Sequence, residues 1–142
     1  MGKRRLAREY CLQALYLADI SKLSAGEILR ALSDSASALD EDTRMFADSL
    51  FNGAVSGRAA ADALLQEYAT NWKLTRMSAV DRCILRMAAY EILHDTGTPF
   101  AAVIDEAIEL GKKYSTENSG RFINGVLDRM KDRRPEAKAN ES

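Results

Sequence analysis

The stretch from Ser78 to Leu93, SAVDRCILRMAAYEIL, is the part of the sequence that best indicates the fold class. Ser78 is a favourable N-cap residue, and Asp81 in the first turn suits the positive end of a helix dipole. The apolar residues of this stretch point to most sides of such a helix, at Val80, Ile84, Leu85, Met87, Ala88, Ala89 and Ile92. Because a helix that is apolar almost all round is covered by its neighbours, the stretch predicts the central helix of an all-helical domain.

Helical spacing continues on the N-terminal side of this central helix. The first helix carries one apolar stripe of residues three or four apart: Ala7, Tyr10, Cys11, Ala14, Leu15 and Ala18. A capping box from Ser24 to Glu27 predicts the start of a second helix. Residues 33–42 are predicted to form a polar connection. A long helical segment follows over residues 43–70, in which Gly53 and Gly57 either bend the helix or let a neighbour approach closely.

The C-terminal side of the chain is also helical in pattern. Thr98 followed by Pro99 predicts a helix start. The stretch GRFINGVLDRMKDR, residues 120–133, predicts the last helix. Strand-like alternation is absent from the sequence, so we expect an all-α fold of six or seven helices. Residues 1–133 are predicted to form a single domain, and residues 134–142 a polar, disordered tail.

Composition limits the classes of function. The 142 residues include 20 Lys and Arg and 21 Asp and Glu, a net charge of −1, so any anion-binding site must be a local patch. The two cysteines, Cys11 and Cys83, both lie in apolar stripes, which favours buried structural thiols in a reducing compartment. No apolar run approaches the roughly 20 residues of a membrane span. We therefore expect a cytoplasmic protein with no membrane association.

Residues suited to catalysis are scarce. The single histidine, His94, falls at a helix end, and no phosphate loop or hydrolase motif is present. We expect no enzyme activity, no catalytic residue, no metal and no cofactor. Glu91 lies on the same side of its helix as Ile84 and Met87, where a carboxylate is costly unless it is paired. This position predicts a buried link to an arginine or to a helix N-terminus.

The first helix opens with an unusual basic cluster. In KRRLAREYCLQALYL, residues 3–17, Arg4, Arg5 and Arg8 stand at the positive end of the helix dipole, where cations are disfavoured. The face opposite the apolar stripe groups Arg5, Arg8, Leu12 and Tyr16, with Glu9 and Gln13 beside them. Arginines bind phosphates and tyrosine stacks on unpaired bases, which points to a nucleic acid. The alternative is a solvated charge cluster, with Leu12 and Tyr16 packed on another helix.

A second candidate site lies at the start of the last helix. Asn118, Ser119 and Arg121 combine an arginine with the free N–H groups of a helix start, which together favour an anion. Phe122 is either a core residue or a base-stacking residue, and its neighbours Ile123 and Val126 favour the core. Gly125 in mid-helix costs about 1 kcal/mol against Ala, which predicts a close helix contact there.

Three stretches resemble the NusB family of bacterial transcription antitermination factors: RRLAREYCLQALY, VDRCILRMAAYEIL and VIDEAIELGKKYSTENSGRFINGVLD. The resemblance covers residues 4–128. It implies two small helical bundles packed together, and binding of boxA-type single-stranded RNA as a heterodimer with NusE, the small-subunit ribosomal protein. It also implies action within the RNA polymerase antitermination complex on ribosomal RNA operons.

The resemblance also implies roles for individual residues. The candidate RNA-binding residues are Arg4, Arg5, Arg8, Gln13, Tyr16, Asn118, Ser119, Arg121 and Phe122, so the arginines of the first helix would face phosphates. The candidate NusE-binding residues are Asp81, Arg82 and Arg86, although Arg86 could instead pair internally with Glu91 or another acid. Many relatives carry an arginine at the position of Leu6, an acidic residue at that of Asn118 and an asparagine at that of Asp105.

Two alternatives belong to different functional classes. The first is an RNA-binding module of a ribosomal RNA cytosine methyltransferase, an enzyme family that carries a similar front domain. The second is a helical protein-interaction domain without an RNA role, which could form a homodimer when free.

Overall fold

A computed structural model describes residues 2–69, 73–94 and 97–135 of the chain, and these residues are almost entirely helical. The eight α-helices of this part are α1 (Lys3–Ile20), α2 (Ala25–Ala31), α3 (Ser33–Ser37), α4 (Glu41–Ser56), α5 (Arg58–Tyr68), α6 (Ala79–His94), α7 (Phe100–Tyr114) and α8 (Glu117–Leu127). Two short 3₁₀ segments, Leu74–Arg76 and Asp128–Arg133, follow α5 and α8. The all-α prediction is confirmed, with slightly more helices than the six or seven predicted.

Helix α6 is central, as its apolar sequence predicts. It packs against α1, α4 and α5, and also against α7 and α8. Ile84, Leu85 and Ile92 of α6 are completely buried. The two groups of helices share one continuous apolar core, which includes Phe51 of α4 and Leu127 of α8.

The segment between α2 and α5 differs from its prediction in two places. Residues 33–37 form the short helix α3 rather than an irregular connection, because Ala36 is buried in a small apolar cluster with Tyr10 and Ala47. The long segment over residues 43–70 divides into α4 and α5 at Gly57. At Gly53 a Cβ atom would lie 2.2 Å from the ring of Tyr90, so this glycine lets α6 approach α4 closely. Thr70 lies outside the described residues.

The C-terminal end departs from its predicted boundary. Helix α8 begins at Glu117, because Thr116 caps it reciprocally with Ser119. Arg134 is buried and donates a hydrogen bond to the carbonyl oxygen of Thr98, so it belongs to the folded body rather than to a polar tail. Residues 136–142 of the predicted tail lie outside the described residues. Within the described ranges, none of the helices is both long enough and apolar enough to cross a membrane.

Candidate nucleic-acid interface

Arg8, predicted to face RNA, is buried inside the protein. Its Nε and Nη2 atoms donate to the two carboxylate oxygens of Glu91, both at 2.8 Å, and Nη2 also donates to Oγ1 of Thr98 at 3.0 Å. The side chain of Arg8 is only 3% exposed and that of Glu91 only 1%. The predicted arginine partner of Glu91 is thereby confirmed. The assignment of Arg8 to an exposed, RNA-facing surface is wrong, since Glu91 occupies its guanidinium group.

Arg5 also turns toward a carboxylate, but nearer the surface. Its Nε and Nη2 atoms donate to Glu106 of α7 at 2.9 and 2.7 Å. These hydrogen bonds hold the pKa of the Glu106 carboxyl below its ordinary value. Carboxylates on neighbouring helices therefore explain why two arginines stand at the unfavourable end of the α1 dipole.

Arg4 keeps its charge at the surface. Its guanidinium carbon lies 3.8 Å from the centre of the Phe46 ring, and the residue is exposed. Leu12, in contrast, is buried. Helix α1 packs against both α4 and α6, so two of its faces are covered and the face opposite the apolar stripe is open to solvent only in part. This packing is why the predicted grouping of Arg8 and Leu12 on an exposed surface fails.

Two of the predicted partner-binding residues are committed to internal ion pairs. Arg82 donates to Asp19 of α1 at 2.6 and 3.4 Å and to the carbonyl oxygens of Leu74 and Met77 at 2.8 and 3.0 Å. Burial alone would raise the pKa of the Asp19 carboxyl, but hydrogen bonds from Arg82 and Arg86 outweigh it and lower that pKa. Arg82 is therefore unsuited to the partner role predicted for it.

Arg86 is held by acids other than Glu91. Its Nε and Nη2 atoms donate to Asp62 of α5 at 2.7 and 3.1 Å, and Nη1 donates to Asp19 at 3.0 Å. The side chain is only 9% exposed. The internal alternative is thus correct for Arg86, and its role in binding a partner stays a prediction. The acids that surround it, Asp19 and Asp62, belong to α1 and α5, which both pack against α6.

Asp81 and Ser119 join the starts of α6 and α8. The backbone N–H of Asp81 donates to Oγ of Ser78 at 3.1 Å, which confirms the predicted cap of α6. The carboxylate of Asp81 accepts a hydrogen bond from Oγ of Ser119 at 3.0 Å. Ser119 is 4% exposed and also completes the cap of α8 with Thr116. Its hydroxyl is therefore used inside the protein, and its contact with RNA stays a prediction.

Of the remaining predicted residues of α8, Asn118 and Phe122 line a depression of about 250 Å³, and Arg121 does not belong to its lining. Asn118 and Arg121 are exposed, whereas Phe122 is half-buried and packs against the apolar core. The depression is lined by residues from the starts of both helices and the segment before α6, among them Arg76, Ser78, Asp81, Thr116, Asn118 and Phe122. It therefore lies where the positive ends of two helix dipoles open to solvent.

A second, more apolar depression is lined by residues of α1, α6 and α7. Its lining includes Leu12, Gln13 and Tyr16 of α1, together with Val80 and Tyr114. Val80 precedes Asp81 in α6, and Tyr114 lies two residues before Thr116; we call the residues that line the two depressions the α1–α8 face. Gln13 is exposed and Tyr16 is 38% exposed.

Sequence reasoning missed Tyr114 and Arg76 on the α1–α8 face. Tyr114 is 39% exposed at the end of α7, and Nζ of Lys113 lies 5.2 Å from the centre of its ring. Two lysines followed by a tyrosine at a helix end, in the sequence KKYS, were the available signal for a basic and aromatic surface. Arg76 carries no comparable signal, because only the fold brings it beside α8.

Other chemistry is not indicated by the described residues. Both cysteines are buried, and burial raises the pKa of the Cys83 thiol to about 12, which makes it a poor nucleophile. Across the described ranges, His, Cys, Asp and Glu residues do not gather in groups of three that could hold a metal ion. The α1–α8 face is lined instead by aromatic rings, amide and hydroxyl groups, Arg76 and the acidic residues Glu9 and Asp81.

Comparisons with known proteins agree with this description. A model of the NusB family matches residues 5–132. The transcription antitermination protein NusB of Elusimicrobium minutum (strain Pei191) is 53% identical over 135 residues, which cover 94% of this chain and 96% of the relative. NusB of T. maritima has a TM-score of 0.86 and 34% identity, covering 99% of this chain and 98% of that chain.

A further match is a chain from the crystal structure of the antitermination factors NusB and NusE in complex with dsRNA. It has a TM-score of 0.84 and 25% identity, and covers 93% of this chain and 98% of that chain. The family model and these relatives extend over nearly the whole sequence, and the chain therefore belongs to the NusB family.

Proposed function

We propose that this protein is a transcription antitermination factor that binds boxA-type single-stranded RNA as a heterodimer with NusE. In this proposal the heterodimer joins RNA polymerase in an antitermination complex on ribosomal RNA operons. The names of the relatives support the antitermination role, and the related complex with NusE and dsRNA supports both kinds of partner. The methyltransferase alternative has no such support, since these relatives are named as antitermination proteins.

The observation that carries the RNA proposal is the composition of the α1–α8 face. Three accessible aromatic residues, Tyr16, Tyr114 and Phe122, lie along a surface onto which the starts of α6 and α8 open. Aromatic rings stack on unpaired bases, and helix N-termini favour phosphates. Arg121 adds a positive charge at the same end of α8. A single strand fits this arrangement better than a duplex, whose bases are already stacked.

The proposed NusE surface is the exposed apolar edge of α1 and the residues that follow it. Tyr16, Ile20 and Leu23 are 38%, 57% and 43% exposed, respectively. Exposed apolar side chains that lie close together favour a protein partner. This surface replaces Arg82 and Arg86, which are occupied internally, and it meets the proposed RNA surface at Tyr16. The same apolar edge would also support a homodimer when the protein is free.

The direct test is the binding of fluorescently labelled boxA-type RNA, measured by anisotropy with and without NusE. We expect tighter binding than to a scrambled single strand, and further tightening when NusE is added. Arg121→Gln should weaken binding and reduce the salt slope by about 0.7, the value for one lost contact with a single-strand phosphate. Arg30→Gln, which changes an exposed arginine of α2, is the matched control and should leave the slope unchanged.

Equal affinity for boxA-type and scrambled RNA in the presence of NusE would overturn the proposal. Size-exclusion measurements on the same samples distinguish the protein-interaction alternative. A complex with NusE, or a homodimer, that binds neither RNA would identify the chain as a protein-binding domain without an RNA role.

A further inference from the structure

Gly125 stands in the last turn of α8, two residues before the helix ends at Leu127, without a packing reason within the described structure. A Cβ atom at this position would meet nothing within 4 Å. The contrast with other helical glycines is clear, since a Cβ atom would lie 2.2 Å from Tyr90 at Gly53 and 2.7 Å from Ile123 at Gly111. The close helix contact predicted for Gly125 from the sequence is therefore wrong. Glycine is the least favourable helix residue apart from proline, so its presence here calls for another explanation.

The position of Gly125 on the helix supplies that explanation. Residues three or four apart share one face of a helix, so Asn118, Arg121, Phe122 and Gly125 follow one another along the same side of α8. Gly125 is exposed and lies one turn beyond Arg121 and Phe122. Because it has no side chain, the α8 backbone is open to solvent immediately beside these two residues. Glycine commonly marks a place where a ligand or another backbone comes close to the main chain.

We propose that Gly125 is a contact point at which the bound RNA strand lies directly against the backbone of α8. This inference rests on the proposed RNA-binding function and extends the RNA surface by one helical turn. One nucleotide would stack near Phe122, its phosphate would meet Arg121, and the ribose that follows would occupy the space that a larger residue at position 125 would fill.

An RNA strand fits this face better than a protein partner does. The exposed large apolar side chains of the described residues are on α1, α4 and α7 and beside α1, and none is on α8. The exposed residues around Gly125 are polar or charged, and include Arg121, Asn124 and Asp128. Protein interfaces are centred on buried apolar and aromatic anchors, whereas a strand of RNA needs charge, a stacking ring and room for its backbone.

The experiment compares Gly125→Ala and Gly125→Gln with Gly26→Ala. Gly26 is an exposed helical glycine of α2, where a Cβ atom would meet only Arg30 Nη1 at 3.6 Å, so its substitution is the matched control. Affinity for labelled boxA-type RNA is measured for the full chain with NusE, and thermal midpoints are measured for the chain alone. NusE affinity without RNA is measured in parallel.

We expect Gly125→Ala to raise the thermal midpoint by about 2–4 °C, because alanine favours the helix and nothing obstructs its Cβ. The same variant should weaken RNA binding about fivefold, and Gly125→Gln by about tenfold or more, since a larger group fills more of the strand's space. Gly26→Ala should leave RNA affinity unchanged. A gain in stability with a loss of RNA affinity cannot arise from damage to the fold.

Three results would overturn the inference. The first is unchanged RNA affinity in both Gly125 variants while the unaltered chain binds boxA-type RNA, which leaves the proposed function intact. The second is a lower thermal midpoint for Gly125→Ala, which would show that the fold itself requires glycine. The third is a loss of NusE affinity without RNA, which would place a protein partner on this face. If the unaltered chain binds boxA-type and scrambled RNA equally, the proposed function fails and this inference fails with it.

Discussion

At the start of α1, Arg5 and Arg8 turn toward Glu106 and Glu91, whereas at the start of α8 Arg121 is exposed and no ion pair is found for it among the described residues. The residue type and its place in the first turns of a helix are the same in both regions. The difference lies in what faces them, because α1 packs against α6 and α7, which carry the two glutamates. An arginine at a helix start is therefore evidence for a ligand only when no carboxylate of the protein is within reach.

This difference separates a structural region from a binding region. The start of α1 joins three helices through two charge pairs, of which Arg8–Glu91 is buried and Arg5–Glu106 is partly exposed. The start of α8 leaves its arginine, amide and aromatic groups accessible. The comparison predicts that substitutions at the first region change stability and that substitutions at the second change RNA affinity.

The largest expected effect is that of Arg8→Ala on stability. Removing the guanidinium leaves the carboxylate of Glu91 buried without its partner, which typically costs about 3–5 kcal/mol. Urea denaturation followed by circular dichroism measures the loss. Arg121→Ala is the control and should change the free energy of unfolding by less than about 0.5 kcal/mol, as expected for an exposed side chain. Equal and small losses in the two variants would remove the distinction between the regions.

Phe122→Ala tests the binding region at the start of α8 at a side chain that also packs against the apolar core. Loss of a base-stacking ring should reduce RNA affinity by about 1–3 kcal/mol. A smaller loss of stability is expected as well, because the ring is half-buried against the core. RNA titrations and urea denaturation on the same variant compare the two effects. A stability loss of about 3–5 kcal/mol with unchanged RNA affinity would assign Phe122 to the core alone.

Local patterns explain which parts of this description the sequence could predict. The central position of α6 was predicted from the apolar residues on most of its sides, and the start of α2 from the capping box at Ser24. Both patterns depend only on residues close in the chain, and both predictions are confirmed. The buried carboxylate of Glu91 called for a partner such as an arginine. The sequence did not show which arginine this is, because Arg8 lies 83 positions away. A helical wheel assumes one buried face, whereas α1 has two. The link between Asp81 and Ser119 was equally hidden, because it requires α6 and α8 to start side by side.

The Arg5–Glu106 pair tests the first region through pH. Because the pKa of Glu106 is lowered in the folded protein, its contribution is present above the ordinary glutamate pKa of about 4.3 and is lost as pH falls through the lowered value. Glu106→Gln should reduce stability at pH 7 by about 1 kcal/mol, since the pair is partly exposed. Denaturation between pH 7 and pH 3 should show that the difference in free energy of unfolding between the unaltered protein and Glu106→Gln shrinks as the pH falls. A stability difference that does not change with pH would exclude the carboxylate charge as its cause.

Asn118→Asp has the smallest expected effect and tests the second region by charge alone. Asn118 is exposed in the first turn of α8 and does not cap the helix, since Thr116 and Ser119 do so. A carboxylate here suits the helix dipole, so stability should rise by about 0.3–1 kcal/mol. The same charge repels an approaching phosphate, and RNA binding should weaken by about 1 kcal/mol or less, with the effect shrinking as salt rises. Asn52→Asp adds the same charge at an exposed site on α4 and should not alter RNA affinity, so it separates local repulsion from a change in net charge. Tighter RNA binding by Asn118→Asp at low salt would contradict the repulsion and indicate a direct contact between the carboxylate and a base.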